Sequence, residues 1–299
     1  MRRAAVPLLA LTVALVLADS AIVTLALPEI LRHLGGSVAQ VAWVLIAFNL
    51  ALALIVVPAA WVCAGRDCAP LCAAGIAVFA AASAACALAG SMEVLIAARS
   101  VQAIGGAFAL VGCLELLVAA TDERRGVACW IAAGVIGTAA GPVAGGLLTE
   151  AFSWHSIFVV QVPIAVLAVP AALTIRRAPV HHPDGHRPAV MPNIALVLLS
   201  AALTAALFLL VLLLVDGWGH SPVSAALTVS VVPVAAFVAR PLARLVGAGP
   251  RSETAAGCVL IAGGLVALAL PPSANLAWTI GPQALVGFGL GLTVDRLTH

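Results

Sequence analysis

Ten apolar runs follow one another along the chain, at about 5–27, 38–62, 70–89, 93–119, 126–149, 156–175, 192–215, 222–246, 255–271 and 277–293. Each is close to the roughly 20 residues that a helix needs to cross the hydrocarbon core of a bilayer. The alternating segments of about ten residues from which a membrane barrel is built are absent. Charge is as scarce as the runs require. Only 9% of residues are charged and 64% are hydrophobic, with a mean hydropathy of +1.19. A soluble domain carries about 25% charged residues, so lipid rather than water must face most of this surface. The expected fold class is an all-α polytopic membrane protein of about ten transmembrane helices, with the lipid bilayer as its surroundings. The start, Met1-Arg2-Arg3 and an apolar run, is superficially like a signal peptide. The run continues past Asp19 to Leu27, which is long for a signal core and reads as a first transmembrane helix.

Arginine placement orients the spans. With the N-terminus in the cytoplasm, the cytoplasmic segments hold Arg2, Arg3, Arg66, Arg124, Arg125, Arg176, Arg177, Arg187, Arg240, Arg244, Arg251 and Arg296, and the outer loops hold only Arg32. This is the positive-inside bias, and an inner-membrane location follows as the expectation. Most connections are short, which makes consecutive helices antiparallel neighbours. The exception is the polar, Pro-containing stretch 176–191. The expected organisation is therefore a six-helix bundle over 1–175, a cytoplasmic linker over 176–191 and a second bundle of four helices over 192–299.

Few residues inside the spans carry chemistry. Asp19 lies within the first and Arg99 within the fourth. At about 1.5 Å per residue, Asp19 lies roughly 12–14 Å and Arg99 roughly 9–10 Å below the outer ends of their helices. The depths agree, so Arg99 is the expected partner. Ionisable groups at such depth are costly and face a cavity or a partner. A nearby Arg favours the charged carboxylate and burial favours the neutral acid, a balance that suits a proton-coupling group. The alternative is a permanent ion pair that only fixes packing. Gln102 and Thr24 are placed to add hydrogen bonds.

The fifth run carries the most specific pattern, with Gly137, Gly141 and Gly145 at every fourth position, Gly134 extending the face, and Pro142 and Gly146 beside it. Small residues at that spacing let two helix backbones approach closely. Pro142 frees the Thr138 carbonyl and permits a bend. A bent, glycine-faced helix would suit a sliding surface between two halves; ordinary tight packing is the alternative.

Other classes find little support. Most of the seven cysteines, Cys63, Cys68, Cys72, Cys86, Cys113, Cys129 and Cys258, sit in apolar runs, where Cys behaves as a small hydrophobe. No His at ligand spacing accompanies the Cys63, Cys68, Cys72 group, so no metal is expected. His181, His182 and His186 fall in the polar linker. There is no phosphate loop, zinc-type His-Glu-x-x-His or nucleophile elbow, so neither an enzyme nor a cofactor is expected. The net charge of +2 gives no reason to expect nucleic acid.

At this point the residues resemble a known family. The fifth run is similar to the antiporter motif of major facilitator drug exporters, Gly-x-x-x-Gly-Pro-x-x-Gly-Gly, through Gly137, Gly141, Pro142, Gly145 and Gly146. Arg99 and Gln102 match the Arg-x-x-Gln-Gly motif, with Ala103 in place of its Gly. Asp19, Ile22, Val23, Ala26, Leu27 and Pro28 match Asp-x-x-Ile-Val-x-x-Ala-Leu-Pro of the drug:proton antiporter branch, that of the QacA and EmrB exporters. Trp154, Phe158 and Pro163 fit the branch's Trp-Arg-Trp-x-Phe-x-x-Asn-x-Pro segment, from which His155, Ser156 and Gln161 depart. The loop after the second run departs from Gly-x-x-x-Asp-Arg-x-Gly-Arg. Arg66 is kept, Gly65 stands where the Asp belongs, and Asp67 is the available substitute in the charge latch.

The resemblance implies the major facilitator fold and export of small lipophilic or cationic compounds, driven by protons. It assigns Asp19, Arg99 and Gln102 to proton coupling or the substrate cavity, and the glycines and Pro142 of the fifth run to the interface between halves. Against the six-plus-six helix plan of that fold, the second half is expected to be two helices short. Two other readings remain open at this stage: a carrier of a single metabolite, and a truncated relative that does not transport.

Overall fold

A chain segment in lipid must pair its backbone groups internally, and the apolar runs accordingly form helices. The computed structural model describes residues 2–64, 66–175, 205–246, 250–270 and 274–297. Among these every regular element is helical. The first unit contains α1 (Arg2–Leu34), α2 (Val38–Cys63), α3 (Cys68–Ala87), α4 (Met92–Ala120), α5 (Glu123–Ala151) and α6 (Ser156–Leu173), the last interrupted at Val160. The second contains α7 (Ala205–Gly217), α8 (Pro222–Val229 and Val231–Val246, interrupted at Ser230), α9 (Pro250–Ala269) and α10 (Leu276–Leu297). The chain divides into two compact units, Met1–Asp184 and Gly185–His299. The expected linker 176–191 and the start of the seventh expected helix lie outside the described residues. Among the described residues, eight of the helices, all but α7 and α10, are long and apolar enough to cross a membrane.

Local chemistry sets the helix starts. Ser37 and Gln40 form a reciprocal capping box on α2, Ser91 caps α4, Asp122 caps α5, and Ser221 precedes Pro222 at the start of α8. Each cap pairs a backbone N–H that the first helical turn leaves without a partner. The helix α1 runs on past Pro28 to Leu34, beyond the expected end at Leu27. A proline within a helix removes one donor and kinks the rod without having to end it.

Burial assigns positions within the first unit. In α1, 61% of the spanning window is buried, against 28% in α2 and 22% in α5. The outward faces of α2 and α5 carry Leu50, Leu54, Trp61, Ile131 and Ile136, all exposed. Beneath them Leu9, Val13, Phe48, Ile76, Phe79 and Leu116 form a buried core.

Glycines set the closest helix contacts. A Cβ on Gly141 would come within 2.9 Å of Ala21 Cβ, and one on Gly137 or Gly145 would run into the backbone of Ala14 or Ile22. Their face is taken by α1 of the same unit, because only a row without side chains lets the α1 backbone in that close. Pro142 and Gly146 are buried as well.

Arg66 and Asp67, the residues of the expected charge latch, are used locally among the described residues. Arg66 is exposed and donates from Nη1 to the Val62 carbonyl at 2.9 Å, while Asp67 Oδ1 accepts from Ala69 N at 3.1 Å. The two residues finish α2 and begin α3. Among the described residues no ion pair carries either of them to another helix.

A second pair of glycines recurs in both units. A Cβ on Gly105 of α4 would lie 2.7 Å from the Gly75 carbonyl oxygen of α3, and one on Gly289 of α10 would lie 2.5 Å from the Gly257 carbonyl oxygen of α9. Counted from their helix starts, Gly105 and Gly289 occupy the same position, as do Gly75 and Gly257. The α3–α4 and α9–α10 pairs thus share one crossing.

The glycine contacts predict a sharp size dependence. Replacing Gly137 with Leu should lower stability by about 1–3 kcal/mol, read from thermal unfolding in detergent or nanodiscs. Gly90→Ala, at a site where an added Cβ would find nothing within 4 Å, should leave the transition in place.

Candidate functional site

The only described acid and base that are both fully buried meet in the first unit. Asp19 of α1 and Arg99 of α4 have no exposed surface, and Arg99 Nη1 is ion-paired with Asp19 Oδ2. The pair closes a ring of four side chains. Arg99 Nη1 also donates to Gln102 Oε1 at 2.6 Å, Gln102 Nε2 donates to Gln161 Oε1 at 2.8 Å, and Gln161 Nε2 donates to Asp19 Oδ1 at 2.8 Å. Ser83 of α3 accepts from Gln102 Nε2 at 2.8 Å. Its single proton can reach the Phe79 carbonyl or Gln161 Oε1.

Five helices therefore position the site. The helix α2 contributes without a charge: the Val44 carbonyl accepts from Arg99 Nε at 3.3 Å, and the Phe48 ring lies 4.0 Å from the guanidinium carbon. A cation over a ring face is held by the ring quadrupole. The second amino group, Arg99 Nη2, is buried without an acceptor. The charges cancel, both carboxylate oxygens are bonded, and one cationic donor is left over.

Of the residues singled out in the sequence, Asp19, Arg99 and Gln102 come together here. Thr24 does not join them; its hydroxyl turns back to the Ser20 carbonyl at 2.6 Å. The glycines of α5 stand behind α1, and Gly141 faces Ala18, next to Asp19. Arg66 and Asp67 are helix caps away from the ring. Two members were missed. Gln161 stands where the resembled segment has Asn, so its difference there was the available signal. Ser83, alone in the alanine run of α3, gave none. Among the described residues no group of His, Cys, Asp and Glu could hold a metal ion.

An α-helical membrane bundle built round a buried, charge-neutral polar ring belongs with the multi-pass membrane carriers, and the comparisons agree. The family model of the Major Facilitator Superfamily matches residues 9–295, and the chain belongs to that family. It is 32% identical over 237 residues to the tetracenomycin C resistance and export protein of Streptomyces glaucescens, covering 77% of this chain and 43% of that one. It is 34% identical over 155 residues to the multidrug resistance protein Stp of Mycobacterium tuberculosis, covering 50% and 29%. It is also 34% identical over 157 residues to the probable transport protein HsrA of Haemophilus influenzae, covering 52% and 34%. The matches thus span between 29% and 43% of these relatives' lengths. Among solved structures, a bacterial homologue of the human lysosomal transporter Spinster, inward-facing and occupied, aligns with a TM-score of 0.73 at 18% identity, covering 98% of this chain and 72% of that one. At this identity the likeness speaks to the fold. The family and these neighbours are transporters, not enzymes.

Removing one member of a buried ion pair strands the other charge, at a cost of about 3–5 kcal/mol. Arg99→Gln should therefore destabilise the protein by about that much. Asp19→Asn combined with Arg99→Gln should recover roughly half or more of the loss, since neither charge then remains. A thermal-unfolding double-mutant cycle measures both.

Proposed function

We propose that the protein is a secondary transporter that exports small lipophilic or cationic compounds in exchange for protons. The proposed setting is the cytoplasmic (inner) membrane of a bacterium, with the N-terminus on the cytoplasmic side. The observation that carries the reading is the ion pair of Asp19 and Arg99, fully buried and closed by Gln102 and Gln161. Family membership supports transport, and the names of relatives concerned with multidrug resistance and with resistance and export of tetracenomycin C support efflux. The arginine distribution supports the orientation.

The ring offers a means of coupling. Asp19 is the acceptor that matters, because its two oxygens hold Arg99 on one side and Gln161 on the other. A proton on Asp19 cancels its charge, removes the counter-ion of Arg99 and turns one acceptor oxygen into a donor. Arg99 then needs a new acceptor, and its unpaired Nη2 already points to that need. Gln102 and Gln161 can each exchange a donated for an accepted bond by rotating the carboxamide, so the ring can reform in a second arrangement. Two bonded arrangements that differ by one proton make a two-state element, the requirement for linking protonation to a conformational change. The helix α1 transmits it, because Asp19 sits on the helix that α5 grips through Gly137, Gly141 and Gly145.

The test is proton movement in inverted membrane vesicles with an acidified lumen. Tetraphenylphosphonium added outside should drive proton release from vesicles carrying the protein, and Asp19→Asn should reduce the release to background at equal protein insertion. Full release in the variant, or none with the wild-type chain, would overturn the reading.

A further inference from the structure

Aromatic rings lead away from the buried ion pair on the side of α6. The Phe158 ring lies 5.8 Å from the Arg99 guanidinium carbon. Trp154 meets Phe158 edge to face, with centroids 6.3 Å apart. His155 stacks on Trp154 with centroids 3.8 Å apart and the ring planes 28° from parallel. Phe158 and Trp154 have no exposed surface, whereas His155 is only partly buried. The column therefore runs from Arg99 to the turn between α5 and α6, and it ends on a side chain that water can reach.

The two outer rings are held in different ways. His155 is anchored through its carbonyl, which accepts from Phe158 N and Val159 N, both at 3.1 Å. Its Nδ1 lies 3.4 Å from the Ser153 hydroxyl. Trp154 has no such anchor. Its Nε1 is buried without a partner, although a buried indole usually finds one. Ring contacts and packing alone set its place, so the indole answers to what its neighbours' rings do.

Of these rings the imidazole is the one whose charge changes near neutral pH. Where the resembled segment has a permanently charged Arg, this chain has a cation that can be switched off. Burial, and then the like charge of His33, push the His155 pKa below the ordinary imidazole value, while Glu29 pulls it up. Both groups belong to α1, the helix that bears Asp19. Of the other charges at this end, Arg32 turns back to the Pro28 carbonyl, and Glu150 stands one residue before the end of α5. A protonated imidazole over an indole face is drawn to it by the ring quadrupole.

We propose that His155 is a positioning residue for the buried ring: a proton taken up at the turn between α5 and α6 tightens the stack on Trp154 and, through Phe158, changes how Arg99 is held. This rests on the transport reading and deepens it. In the proposed orientation the turn faces away from the cytoplasm, so the pH on that side acts on Arg99 without a proton having to enter the ring.

The test is histidine and arginine side-chain NMR on the full chain in nanodiscs. It uses no gradient and no transported compound, so its outcome is independent of the exchange measured with tetraphenylphosphonium. The His155 signal, identified by its loss in His155→Gln, should titrate below the ordinary value of about 6.5. Glu29→Gln should lower that midpoint and His33→Gln should raise it, each by roughly 0.2–0.7 pH unit, the scale of an exposed charge pair. Arg99 Nε should shift with the same midpoint in the wild-type protein. That shift should vanish in His155→Gln, and His155→Arg, a permanent cation, should hold Arg99 Nε at its acid position throughout. His33 is exposed and Glu29 and His155 are partly so, so these variants should fold. Midpoint changes of the same sign in Glu29→Gln and His33→Gln, or an Arg99 shift that persists unchanged in His155→Gln, would overturn the proposal.

Discussion

An ion pair sealed inside an apolar bundle demands that everything around it be arranged first. Asp19 and Arg99 come from helices far apart in sequence, and neither charge is tolerable without the other. Coulomb attraction alone does not offset the loss of water; the remaining oxygens and N–H groups need partners too. Gln102 and Gln161 supply them, Ser83 and the Val44 carbonyl complete the shell, and Phe48 covers the guanidinium. Six side chains and a backbone carbonyl from five helices thus constrain how α1, α2, α3, α4 and α6 approach one another. The bundle is specified from its polar centre as much as from its apolar packing.

Small residues make that centre reachable. An arginine and an aspartate can meet across a bundle only if the helices carrying them lie close. Gly105 lets α4 press against α3 at Gly75, and Gly137, Gly141 and Gly145 let α5 press against α1 at Ala14, Ala18 and Ile22. With little hydrophobic gain to be had between helices already in lipid, such close van der Waals contact is a main source of their association. Within the first unit the glycine row on α5 holds the helix that bears Asp19. A motif on a helix face says that something approaches closely; it does not say which neighbour.

That distinction marks what was legible in the sequence. The spans could be read because about twenty apolar residues with almost no charge permit little else; the arginines gave their expected orientation. Asp19 and Arg99 could be paired from depth alone, since a rise of about 1.5 Å per residue converts sequence position into height. Lateral arrangement has no such ruler. Nothing in the sequence says that α1 rather than another helix lies on the α5 glycines, or that Ser83 among its alanines turns inward. Asp67 shows the same limit from the other side. An acid beside Arg66 suggested a latch, yet an Asp just before a helix has a nearer use, the N–H of Ala69 two residues on. Local capping won because it requires no other helix to be in place.

The two units then differ in a way that neither would reveal alone. Their α3–α4 and α9–α10 crossings coincide residue for residue, so the backbone places equivalent side chains in equivalent surroundings. Against that common frame the chemistry has diverged: a charged, fully bonded ring at Arg99, and a neutral, unbonded carboxamide at Gln283. A ring that satisfies its own charges leaves only the one free amino group of Arg99 without a partner. A lone carboxamide cannot hold a proton near neutral pH and is best used for hydrogen bonds. What each centre can bond therefore differs between the units, although their helix crossings match.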